Sequence, residues 1–308
     1  MFDRFDHDGR ALCDKVFSVI RNAIFLIFAV FLGFEAAAQE LPAINGHILP
    51  YRTWHHLVMP GDIVTIAAKP DERIVMDGET VGNAWLAPDQ AGTHRLEVVN
   101  GQGDAIAEVS VFVLEPSANI DARGYLNGYR IGTYPRDTPI GFIKFEDADS
   151  DIAVSPSFRL GQFLCKQQPE HFPKYLLVSG TNLERLEYLL ADLKSEGLTN
   201  ADTFFVMSGF RTPAYNTTIG SAKYSRHMYG DAADVYLDVD PRDGVMDDIN
   251  GDGMITKADA DYFFDHALSL FTATDKVKPG GLGSYKANAV HGPFVHVDGR
   301  GRPARWGR

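Results

Sequence analysis

Ser225-Arg226-His227-Met228-Tyr229-Gly230-Asp231-Ala232-Ala233-Asp234 is the stretch around which the rest of the chain can be interpreted. Gly230 interrupts the run, so we predict His227 in a loop, and the apolar residues after Ala233 predict a short strand. Asp234 would then lie at a sheet edge, with small alanines that leave it accessible. Imidazole nitrogen and carboxylate oxygen suit zinc, but an isolated pair is more often a solvated histidine and an ordinary aspartate.

A second histidine comes near the C-terminus, in Gly292-Pro293-Phe294-Val295-His296-Val297-Asp298. Residues 294–298 read as a strand, and the period of two places His296 and Asp298 on one face. His296 can therefore supply the missing nitrogen. With His227 and Asp234 it would leave one position of a tetrahedral zinc for water, the arrangement of a hydrolytic site.

Length and composition allow two domains with apolar cores. The chain has 308 residues, of which 45% are hydrophobic, and a formal net charge of −12. This acidic balance argues against nucleic acid as a partner, because phosphate binding needs a basic surface. It is compatible with calcium and with a cationic or neutral substrate.

The N-terminus predicts export. Arg21 precedes an apolar run over residues 23–34, and small residues follow at Ala36, Ala37 and Ala38. The run suits a secretory signal better than a membrane span, so we predict a signal peptide over residues 1–38, cleaved after Ala38. The alternative is an uncleaved anchor, which would be the only attachment to a membrane. The mature chain would be periplasmic, with Cys165 as its single cysteine and no internal disulfide.

Two regions with different patterns follow the predicted signal. Residues 39–116 contain strand-length apolar runs separated by turn residues, and Asn100-Gly101 is a hairpin signal. This region resembles the small immunoglobulin-like β-sandwich modules of exported bacterial proteins. Residues 117–155 are rich in Gly, Pro, Asp and Tyr, and we interpret them as an extended connector. From residue 156 helical patterns appear, including a leucine stripe that follows Thr181-Asn182-Leu183-Glu184, a capping-box pattern.

An acidic segment fits a calcium-binding loop within an insertion at residues 238–260. The expected ligands stand at positions 1, 3, 5, 7, 9 and 12 of the loop, with glycine at position 6: Asp248, Asn250, Asp252, Met254 through its carbonyl, Thr256 and Asp259. Aspartate at position 12 is shorter than the usual glutamate. The alternative is a solvated acidic turn. We expect a structural Ca²⁺ that stiffens the surrounding domain.

Three ordered motifs resemble the D-Ala-D-Ala carboxypeptidase and murein endopeptidase family of zinc peptidases, whose fold hedgehog domains share. They are Ser208-Gly209-Phe210-Arg211-Thr212-Pro213, then Ser225-x-His227-x-x-Gly230-x-Ala232-x-Asp234, then Gly292 to Asp298. The resemblance covers about residues 155–308. It implies a small α+β domain, here residues 156–308, with zinc on His227, Asp234 and His296. It also implies that Ser225 and Arg211 bind the substrate carboxylate or the reacting carbonyl oxygen, and that the substrate is the peptidoglycan stem peptide.

The motifs leave two candidates for the proton acceptor. Many members of this family carry Glu, Asp or His two or three residues before the last ligand, where this chain has Phe294 and Pro293. Asp298 and His291 remain as candidates for the general base. Asp298 is favoured, although it can equally orient His296. Arg211 would stabilise the oxyanion.

The sequence therefore predicts an α+β zinc peptidase domain preceded by a small all-β sandwich. The expected function is exported, zinc-dependent hydrolysis of peptidoglycan stem peptides or cross-links at D-amino-acid bonds. The β domain would dock the enzyme to the wall or to a protein partner. One alternative is a non-catalytic, zinc- and calcium-containing wall-binding or regulatory protein. Another is a calcium-stiffened adhesion module in which the His/Asp pair is incidental.

Overall fold

Alternating apolar residues between positions 43 and 113 form two sheets. Their strands are β1 (Ala43–Ile44), β2 (His47–Ile48), β3 (Thr53–Val58), β4 (Ile63–Ala67), β5 (Arg73–Met76), β6 (Glu79–Val81), β7 (Ala84–Leu86), β8 (Gly92–Val99) and β9 (Ala105–Val113). One sheet has the order β2-β1-β4-β7 and the other the order β3-β9-β8-β5-β6. The pair β3–β9 is parallel and the other pairs are antiparallel. The immunoglobulin-like resemblance of this region stays a prediction.

The computed structural model describes residues 40–308. The predicted signal peptide lies outside the described residues. Residues 41–308 form one compact unit whose apolar core continues from the N-terminal sheets into the C-terminal half. None of the helices in residues 40–308 has the length and apolar character that crossing a membrane requires.

Residues 117–155, which we predicted to be an extended connector, contain a hairpin and a strand. Here β10 (Glu115–Pro116) is followed by β11 (Tyr125–Leu126), β12 (Tyr129–Arg130) and β13 (Gly141–Phe145). β13 lies between β10 and the later strand β14 (Lys174–Leu176). Tyr129 and Ile131 are fully buried, so the aromatic residues of this segment belong to the core.

The C-terminal half contains the sheet that carries the predicted ligands. Its strands are β15 (Phe205–Ser208), β16 (Ala232–Tyr236), β17 (Gly281–Tyr285), β18 (Phe294–Asp298) and β19 (Ala304–Trp306), in the order β15-β16-β18-β17-β19. The helices of this half are α1 (Gly180–Ser195), α2 (Pro213–Thr218) and α3 (Lys257–Thr272). The leucines of α1 are buried at helical spacing, as their stripe predicted. The protein is therefore a mixed α+β structure with several sheets.

The start of α1 differs from the predicted capping box at Thr181. The helix begins at Gly180, with Ser179 at the N-cap position and no side-chain cap. The Ser179 hydroxyl instead donates to Asp231 Oδ1 at 3.0 Å. The hydrogen bond to Asp231, which is distant in sequence, thus engages the Ser179 side chain that would otherwise cap the helix.

His55 links the N-terminal sheets to the C-terminal half. It lies on β3 and is buried, with Nδ1 2.9 Å from the Val154 carbonyl oxygen and Nε2 3.2 Å from that of Val178. Burial lowers the pKa of His55 to about 4, and the two carbonyls oppose this shift. The folded protein therefore holds this imidazole in its neutral form at neutral pH.

We expect unfolding free energy to depend on His55 protonation. In the unfolded chain His55 has a pKa near 6.5. The stability that the neutral ring provides is therefore complete above about pH 6.5 and is lost as the pH falls towards 4, which lowers the free energy of unfolding by roughly 3 kcal/mol. The free energy of unfolding, measured with urea between pH 7 and pH 4, should fall less for His55→Gln than for wild type. His47→Gln, at an exposed position, is the control. If the free energy of unfolding fell equally in His55→Gln and wild type, His55 would not be the source of the pH dependence.

Candidate metal centre

His227 lies in a single 3₁₀ turn, Arg226–Tyr229, rather than in an irregular loop. Its Nδ1 donates to the Gly209 carbonyl oxygen at 2.7 Å, and this fixes the proton on Nδ1. The Nε2 lone pair is consequently available to a metal ion. Burial lowers the pKa of His227, although the neighbouring Asp234 opposes the shift. The direction of this shift favours the deprotonated nitrogen that a metal ligand requires.

Gly230 ends this turn with a φ of 65°. Its carbonyl oxygen accepts from Ser179 N at 2.9 Å. A Cβ at this position would overlap the Leu177 carbonyl and lie 2.8 Å from Leu177 Cβ. The glycine of the motif therefore serves both the left-handed backbone and the close approach of the chain before α1.

The other two ligands lie opposite each other on neighbouring strands. Asp234 of β16 pairs with His296 of β18 in the antiparallel register. His296 Nδ1 lies 2.8 Å from Asp234 Oδ1, and His227 Nε2 lies 3.2 Å from His296 Nδ1 and 3.3 Å from Asp234 Oδ1. All three side chains are buried. The structure thus brings together the three residues that the sequence selected.

This arrangement is consistent with zinc. Ligands about 2.0 Å from a tetrahedral ion lie about 3.3 Å from one another, close to the separations seen here. Burial opposes ionisation of Asp234, but His227 and His296 outweigh it and hold the pKa of Asp234 well below its usual value. Two imidazole nitrogens and one carboxylate oxygen form a typical set for a catalytic zinc ion.

Asp298 lies behind His296 rather than facing the other ligands. Its Oδ2 is 3.0 Å from His296 Nε2, while the opposite ring nitrogen, Nδ1, faces Asp234. Arg300 Nε donates to Asp298 Oδ1 at 2.8 Å. Burial would raise the pKa of Asp298, but the hydrogen bonds from His296 and Arg300 lower it strongly. This position suits the orientation of His296 better than proton transfer.

A cavity of about 1170 Å³ opens beside the three ligands, and Arg211, Ser225 and His291 line it. Arg211 contacts Asp234 Oδ2 through Nη2 and donates from Nε to Ser208 Oγ at 2.7 Å. Ser225 is half-buried at the N-cap of the His227 turn and makes no side-chain cap. Of the four non-ligand residues that the sequence placed at the reaction site, these three border one cavity and Asp298 does not.

His291 is held by its own loop. Nδ1 donates to the Gly292 carbonyl oxygen at 2.8 Å, and Nε2 lies 2.8 Å from Asn288 Nδ2. Both ring nitrogens therefore have partners, so His291 would have to exchange the Asn288 contact before accepting a proton from the attacking water.

Sequence patterns missed two aromatic residues of the cavity wall, Tyr285 and Trp306. Trp306 Nε1 donates to the Tyr285 hydroxyl at 2.7 Å, and the indole packs 5.1 Å from the His296 ring. Gly283 pairs with both His296 and Trp306, and a Cβ there would overlap the indole. A glycine inside a strand signals such an approach, although not its partner.

The predicted calcium loop precedes α3, with its oxygens turned to its own backbone. Asp248 accepts from the Gly251 and Gly253 amides at 2.9 and 2.7 Å. Asp259 is fully buried and forms a capping box with Thr256. Within residues 40–308, three or more His, Cys, Asp or Glu ligand atoms converge within 4.8 Å only at His227, Asp234 and His296.

Comparison with known proteins supports the family predicted from the motifs. Residues 190–246 match the model of the family described as Peptidase M15. The matched region includes β15, Arg211, the His227 turn and β16 with Asp234, and it ends before His296. No curated protein matches the chain. The match to a peptidase M15 family domain is therefore limited to residues 190–246, in the C-terminal half of the chain.

Proposed function

We propose that this protein is an exported, zinc-dependent peptidase that hydrolyses peptidoglycan stem peptides or cross-links at D-amino-acid bonds. The observation that carries the proposal is the buried convergence of His227, Asp234 and His296 in a domain with a peptidase M15 match. A zinc ion held there would polarise the scissile carbonyl and activate water. Export, periplasmic location and docking of the β domain to the wall or a partner belong to the same proposal.

The protein's own groups have distinct roles in this proposal. Arg211 supplies positive charge at the ligand cluster, where an oxyanion develops during amide hydrolysis. Ser225 binds a polar group of the substrate. His291 and the Tyr285 hydroxyl, held by Trp306, are two cavity groups that can move a proton.

Digestion of purified sacculi with the zinc-loaded full-length protein tests the function. Mass analysis of the soluble products should show new peptides from cleavage at D-amino-acid bonds. The alternative, a wall-binding protein without turnover, has some structural support because Pro293 and Phe294 cannot accept protons and both His291 nitrogens are engaged. Cosedimentation with sacculi without released peptides would favour that alternative.

Asp298→Asn should weaken zinc binding while leaving the fold intact. The amide keeps the side-chain shape but loses the charge that aligns His296 and favours its Nε2 proton, so zinc affinity should fall by about 10- to 100-fold. Competition with a chromogenic chelator measures this affinity. Asp265→Asn, at an exposed helix position, is the control. Unchanged affinity with lost hydrolysis would instead support Asp298 as the base.

We also propose that the loop from Asp248 to Asp259 binds a structural Ca²⁺ through the six ligands predicted above. Calcium would replace the loop's backbone partners at Asp248, Asn250 and Asp252. Millimolar CaCl₂ should raise the melting temperature of wild type by several degrees and have no such effect on Asp248→Ala. Equal melting temperatures of wild type with and without calcium would contradict the site.

A further inference from the structure

The cavity beside the metal centre is lined by positive charge, in contrast to the chain as a whole. The chain carries 41 acidic and 29 basic residues, yet Asp234 is the one acid among the cavity-lining residues within 40–308. The basic side chains in the lining are Lys166, Arg211, Lys223, Arg226, Lys286 and Arg300. The local charge is therefore opposite to the net charge of −12.

The arginines and lysines of this cavity differ in their partners. Each of the three arginines pairs with a buried carboxylate: Arg211 with Asp234, Arg226 with Asp231 and Arg300 with Asp298. Lys166, Lys223 and Lys286 are exposed, and no carboxylate oxygen of residues 40–308 lies within 4.0 Å of their ammonium groups. The uncompensated charge of the cavity therefore belongs to the lysines.

The position of Lys223 shows how this charge is presented. Its ammonium group lies 5.5 Å from the centre of the Tyr224 ring, and the guanidinium of Arg136 lies 4.0 Å from the same centre. Tyr224 is 49% exposed and lines the cavity. An aromatic surface flanked by two cations can contact an apolar portion of a ligand while the cations contact its anionic groups.

We propose that Lys166, Lys223 and Lys286 form an anion subsite that binds carboxylates of the substrate away from the scissile bond. The cavity thereby selects peptides with acidic side chains over neutral peptides of the same length. This inference rests on the proposed peptidase function for its biological meaning. The lysine ammonium groups are mobile point charges, which suits carboxylates at variable positions along a peptide.

Two features limit the expected preference for acidic peptides. The lysines are exposed, so each ion pair is screened by water, and the three together should favour an acidic peptide by roughly 3- to 30-fold. The preference should decrease as salt rises, because the Debye length shortens from about 10 Å at 0.1 M to about 3 Å at 1 M.

The test uses two peptides that end in D-Ala-D-Ala and differ in one residue, glutamate or glutamine. Isothermal titration calorimetry measures their binding to the zinc-loaded full-length protein, and cleavage rates give kcat/KM. We expect about a tenfold preference for the glutamate peptide in wild type at low salt. In the triple variant Lys166→Ala/Lys223→Ala/Lys286→Ala the ratio should approach one, with the change in KM rather than in kcat.

The matched control is Lys69→Ala/Lys276→Ala/Lys278→Ala, which removes three exposed lysines outside the cavity. It changes the net charge equally, so it should keep the preference. Equal binding of the two peptides by wild type, or a preference that persists in the cavity variant, would overturn the subsite. Lysine-dependent binding preference without cleavage would support the subsite and contradict the peptidase function, so the two failures are distinguishable.

Discussion

Replacement of His227 or Asp234 by alanine should remove bound zinc and abolish peptide hydrolysis, with a loss of roughly 10³-fold or more. Each residue contributes one of three converging ligand atoms, and within residues 40–308 no further His, Cys, Asp or Glu belongs to this cluster to replace a lost ligand. Zinc per chain, determined by elemental analysis after dialysis, should fall from one to near zero. Release of muropeptides from sacculi should disappear in parallel.

A surface pair provides the control for these ligand variants. His266 Nε2 and Asp192 Oδ2 lie 2.7 Å apart and are only partly buried, so His266→Ala and Asp192→Ala remove the same residue types outside the cavity. Both should retain zinc and activity. Circular dichroism of all four variants checks that they fold. Full zinc content and full hydrolysis in a folded His227→Ala protein would show that the ligand assignment is wrong.

Gly230→Ala should be among the most destabilising single-methyl additions in the domain. Left-handed backbone costs a non-glycine residue about 1–2 kcal/mol, and the added Cβ would also overlap the Leu177 carbonyl. We expect a loss of at least ~3 kcal/mol of unfolding free energy, measured by urea denaturation. Because the turn also positions His227, the variant should bind zinc more weakly.

Gly220→Ala separates the cost of the left-handed backbone from the cost of the overlap with Leu177. Its φ of 64° is nearly the same as that of Gly230, but a Cβ there meets no atom within 4 Å. Gly220→Ala should therefore cost only the backbone component, about 1 kcal/mol. Equal losses for the two variants would mean that the approach of Leu177 to Gly230 is not a constraint on the fold.

The candidate metal ligands were predictable because short-range rules determine the strands that carry two of them. The strand over residues 294–298 follows from its apolar residues and appears at Phe294–Asp298. Asp234 likewise lies within the short strand that begins near Ala233 in the prediction and spans Ala232–Tyr236 in the structure. The predicted position at an accessible sheet edge is wrong, because β16 lies between β15 and β18 and Asp234 is buried. Antiparallel pairing of these strands then brings Asp234 opposite His296. His227 was selected with Asp234 from the chemistry of the motif, and the motif resemblance agreed with all three residues.

Other parts of the site depend on contacts that local patterns do not encode. The Trp306–Tyr285 hydrogen bond joins residues from β19 and β17, and Asp298 is turned away from the ligand cluster by His296 and Arg300. We predicted the segment 117–155 to be a connector because it is rich in glycine and proline, and this composition does not indicate that Tyr129 is buried in the core. The net charge of −12 was compatible with a cationic or neutral substrate, but a sum over the chain does not show that six basic side chains line one cavity.

The most direct test of the metal centre is anomalous diffraction from zinc-loaded crystals, recorded on both sides of the zinc absorption edge. The expected result is one strong anomalous peak bounded by His227 Nε2, Asp234 Oδ1 and His296 Nδ1. The buried convergence of these atoms within 4.8 Å is the basis for this expectation. A zinc peak elsewhere in the chain, with none between these three residues, would contradict it.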